Sequence, residues 1–303
     1  MNPIRLKAYL YLAIVVVIWG VAGPVIKITL NTGLAPDLFL LYRFMFSAIA
    51  ALIMFALTNF KIARNFGEFL QVIIYSVLNS TITLGLLFWG TAKTTLLDMS
   101  LISIFGPLLT IALGYYFLRD RITKQEKTGT FLALVGSLFI LIEPLESQQK
   151  DGRLVGNILV LASVIAGAVA GLLAKELLRK GYGAVRLANY SFLIGFLTMI
   201  PISLSLHPLG QITGIFMKGN PLFFFGIMYM GLLSGTLAYI LNNLGLKSIE
   251  LSETALFSYL YPILSAILAV KLLGDKITTT IVIGSIITFV GVFLAEFKKK
   301  RYN

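Results

Sequence analysis

Residues 103–123 read SIFGPLLTIALGYYFLRDRIT, and residues 258–278 read SYLYPILSAILAVKLLGDKIT. Both stretches begin with serine, place a proline four residues later in an apolar run, and end on Asp-x-Ile-Thr. Shared leucines carry little information in so apolar a chain, but a shared proline and aspartate at the same spacing indicate a repeat. The pair therefore indicates an internal duplication of the chain.

The duplication extends outward from these two stretches. Residues 78–136 align with residues 233–291 without a gap, and 17 of the 59 positions are identical. A weaker match relates residues 21–23 to residues 169–171, both Val-Ala-Gly, at a spacing of 148 positions. The chain is therefore predicted to contain two repeats, residues 1–146 and 152–303, joined by a polar linker.

Hydropathy places both repeats in a membrane. Hydrophobic residues make up 58% of the chain, charged residues 13%, and the mean hydropathy is +0.91. A soluble core cannot hide that much apolar surface. Ten apolar stretches of about 18 to 26 residues are each long enough to cross a bilayer as a helix. They lie near residues 8–30, 36–58, 68–91, 96–118, 125–143, 154–176, 184–206, 221–246, 252–273 and 279–296.

The topology follows from the number of crossings and from the basic residues. Each repeat has five crossings, an odd number, so the second repeat enters the membrane from the opposite side and the repeats are inverted. With both termini in the cytoplasm, the inner segments hold 17 of the 25 Lys and Arg residues. The net charge of +12 thus indicates orientation, and nucleic-acid binding is not expected. The predicted fold class is an all-α integral membrane protein with ten transmembrane helices.

Several kinds of chemistry lack the necessary residues. The chain has no cysteine and one histidine, His207, so neither thiolate chemistry nor a histidine-cluster metal site is expected. No acidic residue lies in the middle of an apolar stretch, which leaves a buried carboxylate proton relay without a candidate. The sequence therefore predicts neither an enzyme nor a cofactor.

The motifs of both halves resemble the drug/metabolite transporter superfamily, and specifically its EamA-like ten-helix members. The resemblance is carried by Phe105-Gly106-Pro107 with the turn at 118–122, by Tyr261-Pro262 with the turn at 273–277, and by Trp19-Gly20 and Arg43. Aspartate stands at 120 and 275, where such proteins more often have glutamate. The resemblance implies a central cavity between the first four helices of each half, and export of amino acids or other small metabolites.

Candidate site residues are polar or aromatic side chains at mid-membrane. Buried amides and hydroxyls in lipid need partners, so they are expected to face the bundle or a wet cavity. Arg43 either faces the cavity or extends outward to lipid phosphates. Pro107 and Pro262 kink their helices and act either as hinges or as static bends. The substrate-binding candidates are Trp19, Arg43, Asn79, Thr83, Trp89, Tyr239, Asn242, Asn243 and Tyr259.

Other charged residues have expected roles outside the site. Lys27 and Lys175 end apolar runs and are interpreted as anchors at the membrane interface. Asp98 and Glu253 occupy equivalent first turns, where an acidic group complements the helix dipole. His207 is interpreted as a solvated loop residue.

The function predicted from these features is secondary transport. The expected substrates are small neutral or zwitterionic metabolites, amino acids and related compounds, moved outward across the cell inner membrane by alternating access between the repeats. The alternatives are a lipophilic drug exporter and a non-transporting membrane sensor or assembly subunit. The expected partners are a small-molecule substrate and the lipid bilayer, with the protein a monomer or homodimer.

Overall fold

The computed structural model describes residues 3–57, 66–118, 152–214, 220–249, 251–258 and 260–296, with short pieces between 124 and 139. These residues form helices joined by short turns and contain no β-strand. The helices are α1 (Pro3–Leu30), α2 (Pro36–Ala56), α3 (Phe66–Lys93), α4 (Leu96–Leu118), α5 (Arg153–Arg179), α6 (Ala184–Leu206), α7 (Leu209–Gly214), α8 (Pro221–Ser248), α9 (Leu251–Ser258), α10 (Leu260–Leu268, with a π-helical end Ala269–Leu273) and α11 (Thr279–Glu296).

Seven of these helices, α1 to α6 and α8, are long and apolar enough to cross a membrane. Large apolar side chains such as Val17, Leu52 and Phe225 are exposed on their surfaces, as expected where lipid is the solvent. The chain is thus a multi-pass membrane protein. The fifth predicted stretch, 125–143, lies largely outside the described residues, so the count of ten crossings and the orientation of the termini stay predictions.

Helix α4 is interrupted at Ile104, three residues before Pro107. Proline lacks a backbone N–H and its ring clashes with the carbonyl four residues earlier, here that of Ser103. The break lies where the proline is predicted to kink the helix; the kink and its role as a hinge stay predictions. In the second half, the backbone of Pro262 lies within α10, and Tyr259 is outside the described residues.

Helices α3 and α8 each contain a π-helical segment, at Val77–Leu84 and Tyr229–Leu237. Shifted by the 155 positions of the repeat, the two segments overlap. A π-helix widens the turn and releases carbonyls from the regular α-helical ladder. In both segments a threonine hydroxyl donates to the carbonyl five residues earlier, Thr83 to Leu78 and Thr236 to Gly231.

The ends of α3 and α8 bind a lysine from another helix. Lys27 Nζ donates to the carbonyls of Thr91 (2.9 Å) and Thr94 (2.5 Å). Lys175 Nζ donates to Leu246 and Ile249, both at 2.6 Å. Because the last carbonyls of a helix have no partner within it, the lysines satisfy groups that are otherwise orphaned. The interpretation of these residues as membrane-interface anchors is therefore wrong.

Asp98 and His207 are also placed differently from expectation. Asp98 is fully buried and forms a bidentate pair with Arg153, at 2.8 and 2.9 Å, so its partner is a cation and not only the helix dipole. His207 Nε2 lies 2.9 Å from Asp37 Oδ2, and its side chain is 17% exposed. The interpretation of His207 as a freely solvated residue is therefore wrong.

Candidate functional site

A cavity of about 290 Å³ lies inside the bundle, between helices of the first half of the chain and helices of the second half. Seven of the nine substrate-binding candidates line it: Trp19, Arg43, Asn79, Thr83, Tyr239, Asn242 and Asn243. Pro107 also lines it. The predicted cluster of mid-membrane polar and aromatic residues thus surrounds a single space.

Two candidates are not part of this lining. Tyr259 lies outside the described residues. Trp89 is on α3 but is not among the residues that line the cavity, and its ring lies against Gly85 on the same helix. Successive residues on an α-helix are about 100° apart, so Trp89 faces away from the side on which Leu84 and Leu87 reach the cavity.

Aromatic rings form one wall of the cavity. Trp19 packs edge-on against Tyr239 and Tyr261, with ring centroids 5.1 and 5.8 Å apart, and Tyr239 packs against Phe192 at 4.9 Å. The indole Nε1 of Trp19 donates to the carbonyl of Ser234, within the π-helical segment of α8. This bond fixes the indole while its ring stays available to an apolar or aromatic group.

Arg43 is the only charged residue among those that line the cavity, as far as the structure describes the chain. It is 1% exposed, so it does not extend to the membrane surface, and the snorkelling alternative is wrong. Its Nε donates to the carbonyl of Met230 at 2.9 Å, another group in the π-helical segment of α8. Its Nη1 is buried and has no hydrogen-bond partner in the described part of the chain.

Three phenylalanine rings surround the Arg43 guanidinium. Its Cζ lies 5.7 Å from the ring of Phe44, 5.4 Å from Phe88 and 5.9 Å from Phe192. The negative ring faces attract a cation, with about 0.5–2 kcal/mol from each favourable contact. No described carboxylate forms a salt bridge with Arg43. Rings therefore hold the cation in place without neutralising its charge.

The cavity amides differ in how far their hydrogen-bonding capacity is used. Asn79 Nδ2 donates to the hydroxyl of Ser191 at 2.8 Å, and Asn243 Nδ2 donates to the carbonyl of Ala184 at 3.3 Å. Asn242 lines the cavity without a hydrogen bond to any residue that the structure describes. Asn242 is therefore the amide most available to a solute.

Sequence reasoning missed several small hydroxyl residues of α4, α9 and α10. Ser103, Ser258 and Ser265 line the cavity, and Ser265 Oγ is buried without a hydrogen-bond partner among the described residues. Ser103 and Ser258 are identical at the repeat spacing of 155, so the alignment of the two halves contained a signal for them. A lone serine in an apolar helix is otherwise a weak signal, because it often bonds its own backbone.

The lining suits the binding of an organic solute. Among the described residues, no group of three or more His, Cys, Asp or Glu side chains is placed to hold a metal ion. The lining combines aromatic rings, amides, hydroxyls and one guanidinium, which is the composition of a small-molecule pocket with a few orienting polar groups.

Comparison with known proteins finds similarity to proteins named as transporters. A model of the EamA-like transporter family matches residues 6–142 and again residues 154–297. The uncharacterized transporter YyaM of Bacillus subtilis is 27% identical, with 72% of this chain and 71% of that protein covered. A probable amino-acid metabolite efflux pump of Salmonella typhimurium is 24% identical, with 94% of this chain and 93% of that protein covered.

A solved structure shares the fold. It matches with a TM-score of 0.69 at 14% identity, and the match covers 98% of this chain and 100% of that one. An uncharacterized transporter of Archaeoglobus fulgidus is 25% identical over 97% of this chain and 99% of that protein. These matches extend over nearly the full length of the chain, so they include both halves that line the cavity.

Proposed function

Because the chain belongs to the EamA-like transporter family, we propose that it exports small neutral or zwitterionic metabolites, amino acids and related compounds, across the cell inner membrane. The chain is a transporter and not an enzyme. The amino-acid substrate class is supported by the likeness to the Salmonella protein, whose name describes amino-acid metabolite efflux.

The observation that carries the proposal is the cavity between the two halves of the chain. It is lined by Trp19 and Arg43 from the first half and by Tyr239 and Asn242 from the second half. A site formed jointly by two halves changes its exposure when one half tilts against the other, which is the basis of alternating access.

The proposed architecture is two inverted five-helix repeats. It is supported by the two matches of one family model, by the π-helical segments at overlapping repeat positions, and by the lysine-capped ends of α3 and α8. Similar halves of opposite orientation give inward-open and outward-open states of similar energy.

One end of the bundle is held together by contacts between the two halves. Asp98 of the first half pairs with Arg153 of the second half and accepts a hydrogen bond from Asn157 at 3.0 Å. Asp275 Oδ2 accepts a hydrogen bond from the backbone N–H of Leu97 at 2.8 Å. In the proposed cycle these contacts break when the cavity opens at this end, which the positive-inside rule places outside the cell.

Solute flux in proteoliposomes tests the proposal. The purified protein would be screened with labelled amino acids, their amides and amphipathic amines, with and without a proton gradient. Saturable flux of amino acids supports the proposal, and stimulation by the gradient would reveal coupling to protons. Flux restricted to large lipophilic cations would indicate a drug exporter. No flux of any solute, from protein with intact helicity, would contradict transport and favour a sensor or assembly subunit.

A further inference from the structure

We propose that Arg43 is the anchor for a carboxylate group of the transported solute, so that the substrates are carboxylate-bearing compounds. This inference rests on the proposed transport function and assigns a residue and a chemical group to the same cavity. Four observations support it: the burial of Arg43, its incomplete hydrogen bonding, the aromatic rings around it, and the absence of an equivalent cation in the second half.

Burial makes the charged form of Arg43 energetically unfavourable. The residue is 1% exposed and lies within the membrane-spanning helix α2. Ionisable residues inside membrane proteins usually pair with one another or mark a substrate path. None of the carboxylates that the structure describes pairs with Arg43, so the second of these roles fits it better.

The hydrogen bonding of Arg43 leaves donor capacity on the side chain. Nε is committed to the carbonyl of Met230, whereas Nη1 has no partner in the described region. A guanidinium presents its donors in a planar fork that matches the two oxygens of a carboxylate. A carboxylate that enters the cavity beside Arg43 therefore supplies both the missing acceptor and the missing negative charge.

The surroundings of Arg43 favour selection for shape as well as charge. Phe44, Phe88 and Phe192 hold the guanidinium in one orientation, and Trp19 and Tyr239 provide apolar surface in the same cavity. A volume of about 290 Å³ can hold a solute of amino-acid size. An ammonium group of an amino acid has ring faces and the Asn242 amide as partners.

The second half of the chain lacks this cation. At the 148-residue spacing, Arg43-Phe44 corresponds to Ser191-Phe192, and the Ser191 hydroxyl is bonded to Asn79 and Ser80. A guanidinium needed only for packing α2 against α8 would be expected to have a counterpart where α6 packs against α3. The asymmetry is explained if Arg43 binds a solute that occupies one orientation in the cavity.

The test uses the two tryptophans of the chain, Trp19 and Trp89. Trp19 lines the cavity and Trp89 does not, so W89F leaves a single fluorescent reporter in the site. Binding would be measured by tryptophan fluorescence for phenylacetate against phenylacetamide, and for L-phenylalanine against phenethylamine. Each pair shares its ring, and only one member carries a carboxylate.

We expect the carboxylate to bind at least about tenfold more tightly than its partner, the smallest change expected for a hydrogen bond between charged groups. R43Q should reduce this preference to near unity. The matched control is S47A, because Ser47 lies one turn further along α2, donates to the carbonyl of Gly231 at 2.7 Å and is outside the cavity lining. S47A should keep the full preference. If R43Q does not fold, R43K keeps the charge without the fork and should retain a weaker preference.

Equal binding of both members of each pair, or a preference that survives R43Q, would overturn the inference, as would failure of every probe to bind. Flux assays separate this result from the transport proposal. Carboxylate binding that depends on Arg43 without flux would support the anchor and contradict transport. Saturable flux that ignores the carboxylate would support transport and contradict the anchor.

Discussion

The helix ends and the central cavity differ in how closely the two halves of the chain agree. Lys27 binds carbonyls 91 and 94, and Lys175 binds carbonyls 246 and 249. The lysines are 148 positions apart and the carbonyls 155, the same two spacings that align the sequences. The same lysine cap therefore occurs at the end of α3 and at the end of α8.

The cavity does not repeat in this way. Arg43 corresponds to Ser191 at the 148-residue spacing, and Phe88 corresponds to Asn243 at the 155-residue spacing. At the ends of α3 and α8, the terminal carbonyls are bonded to lysine side chains. In the cavity, Arg43 Nη1 and Ser265 Oγ are buried without hydrogen-bond partners in the described part of the chain. The difference indicates that the ends maintain the fold and that the cavity retains capacity for a solute. Substitutions at the ends should therefore change stability, and substitutions in the cavity should change binding.

The largest expected loss of stability follows D98N. Asp98 is fully buried, and the change removes the carboxylate that forms the bidentate pair with the buried Arg153. Breaking one partner of a buried ion pair costs about 3–5 kcal/mol. Unfolding in micelles, followed by helical circular dichroism during denaturing-detergent titration, would measure it. The double variant D98N/R153Q should lose less, because neither charge remains; equal losses would show that the pairing is not the cause.

The two lysine caps allow a direct comparison of the ends. K175M removes the donor to two carbonyls at a position that is 5% exposed. We expect a loss of at least about 2 kcal/mol, since each unsatisfied buried carbonyl costs at least about 1 kcal/mol. Lys27 is only half-buried, so water replaces part of its bonding and K27M should lose less. The same titration measures both variants. A greater loss in K27M would contradict the role assigned to burial.

Sequence reasoning predicted the helices well because membrane depth fixes their length and apolarity. Nine of the ten predicted stretches correspond to helices of the structure, and the fifth lies largely outside the described residues. Seven of nine substrate-binding candidates also line one cavity. Polar residues inside a membrane protein usually face the bundle interior or a cavity, which is why polarity at mid-membrane indicated most of these positions. Their role in substrate binding stays a prediction.

The sequence did not reveal which groups the long charged side chains bind. Lys27 and Lys175 close apolar runs, which is also the pattern of an interface anchor, and only the packing shows that each reaches the end of another helix. The direction of Trp89 depended on the local phase of α3, which contains the π-helical segment Val77–Leu84. A π-turn inserts an extra residue and rotates the residues after it onto a different face of the helix, and no single residue type announces it.

Substitution of Arg43 is expected to change stability far less than substitution of Asp98. In R43M, the hydrogen bond to Met230 and the ring contacts are lost, but the cost of burying an incompletely paired charge is lost too. Replacing a whole buried ion pair by apolar side chains of similar volume is often neutral or stabilising, because no uncompensated charge is left behind, and R43M likewise leaves none among the described residues. We expect a stability within about 1 kcal/mol of the original protein and loss of the preference for phenylacetate. A loss as large as that of D98N would place Arg43 with the structural residues.

The smallest changes in stability are expected at two adjacent amides of the cavity, Asn242 and Asn243. Substitution of Asn243 should affect packing, and substitution of Asn242 should affect binding. Asn243 is 2% exposed and bonded to the carbonyl of Ala184, so N243A should cost about 1 kcal/mol of stability. Asn242 has no described partner, so N242A should change stability by less than about 0.5 kcal/mol and raise the KM for amino-acid flux about three- to tenfold, the value of one hydrogen bond to the solute. The denaturing-detergent titration measures the stability of both variants, and the flux assay measures their KM. If N242A destabilises and N243A does not, the assignment of free and committed amides is reversed.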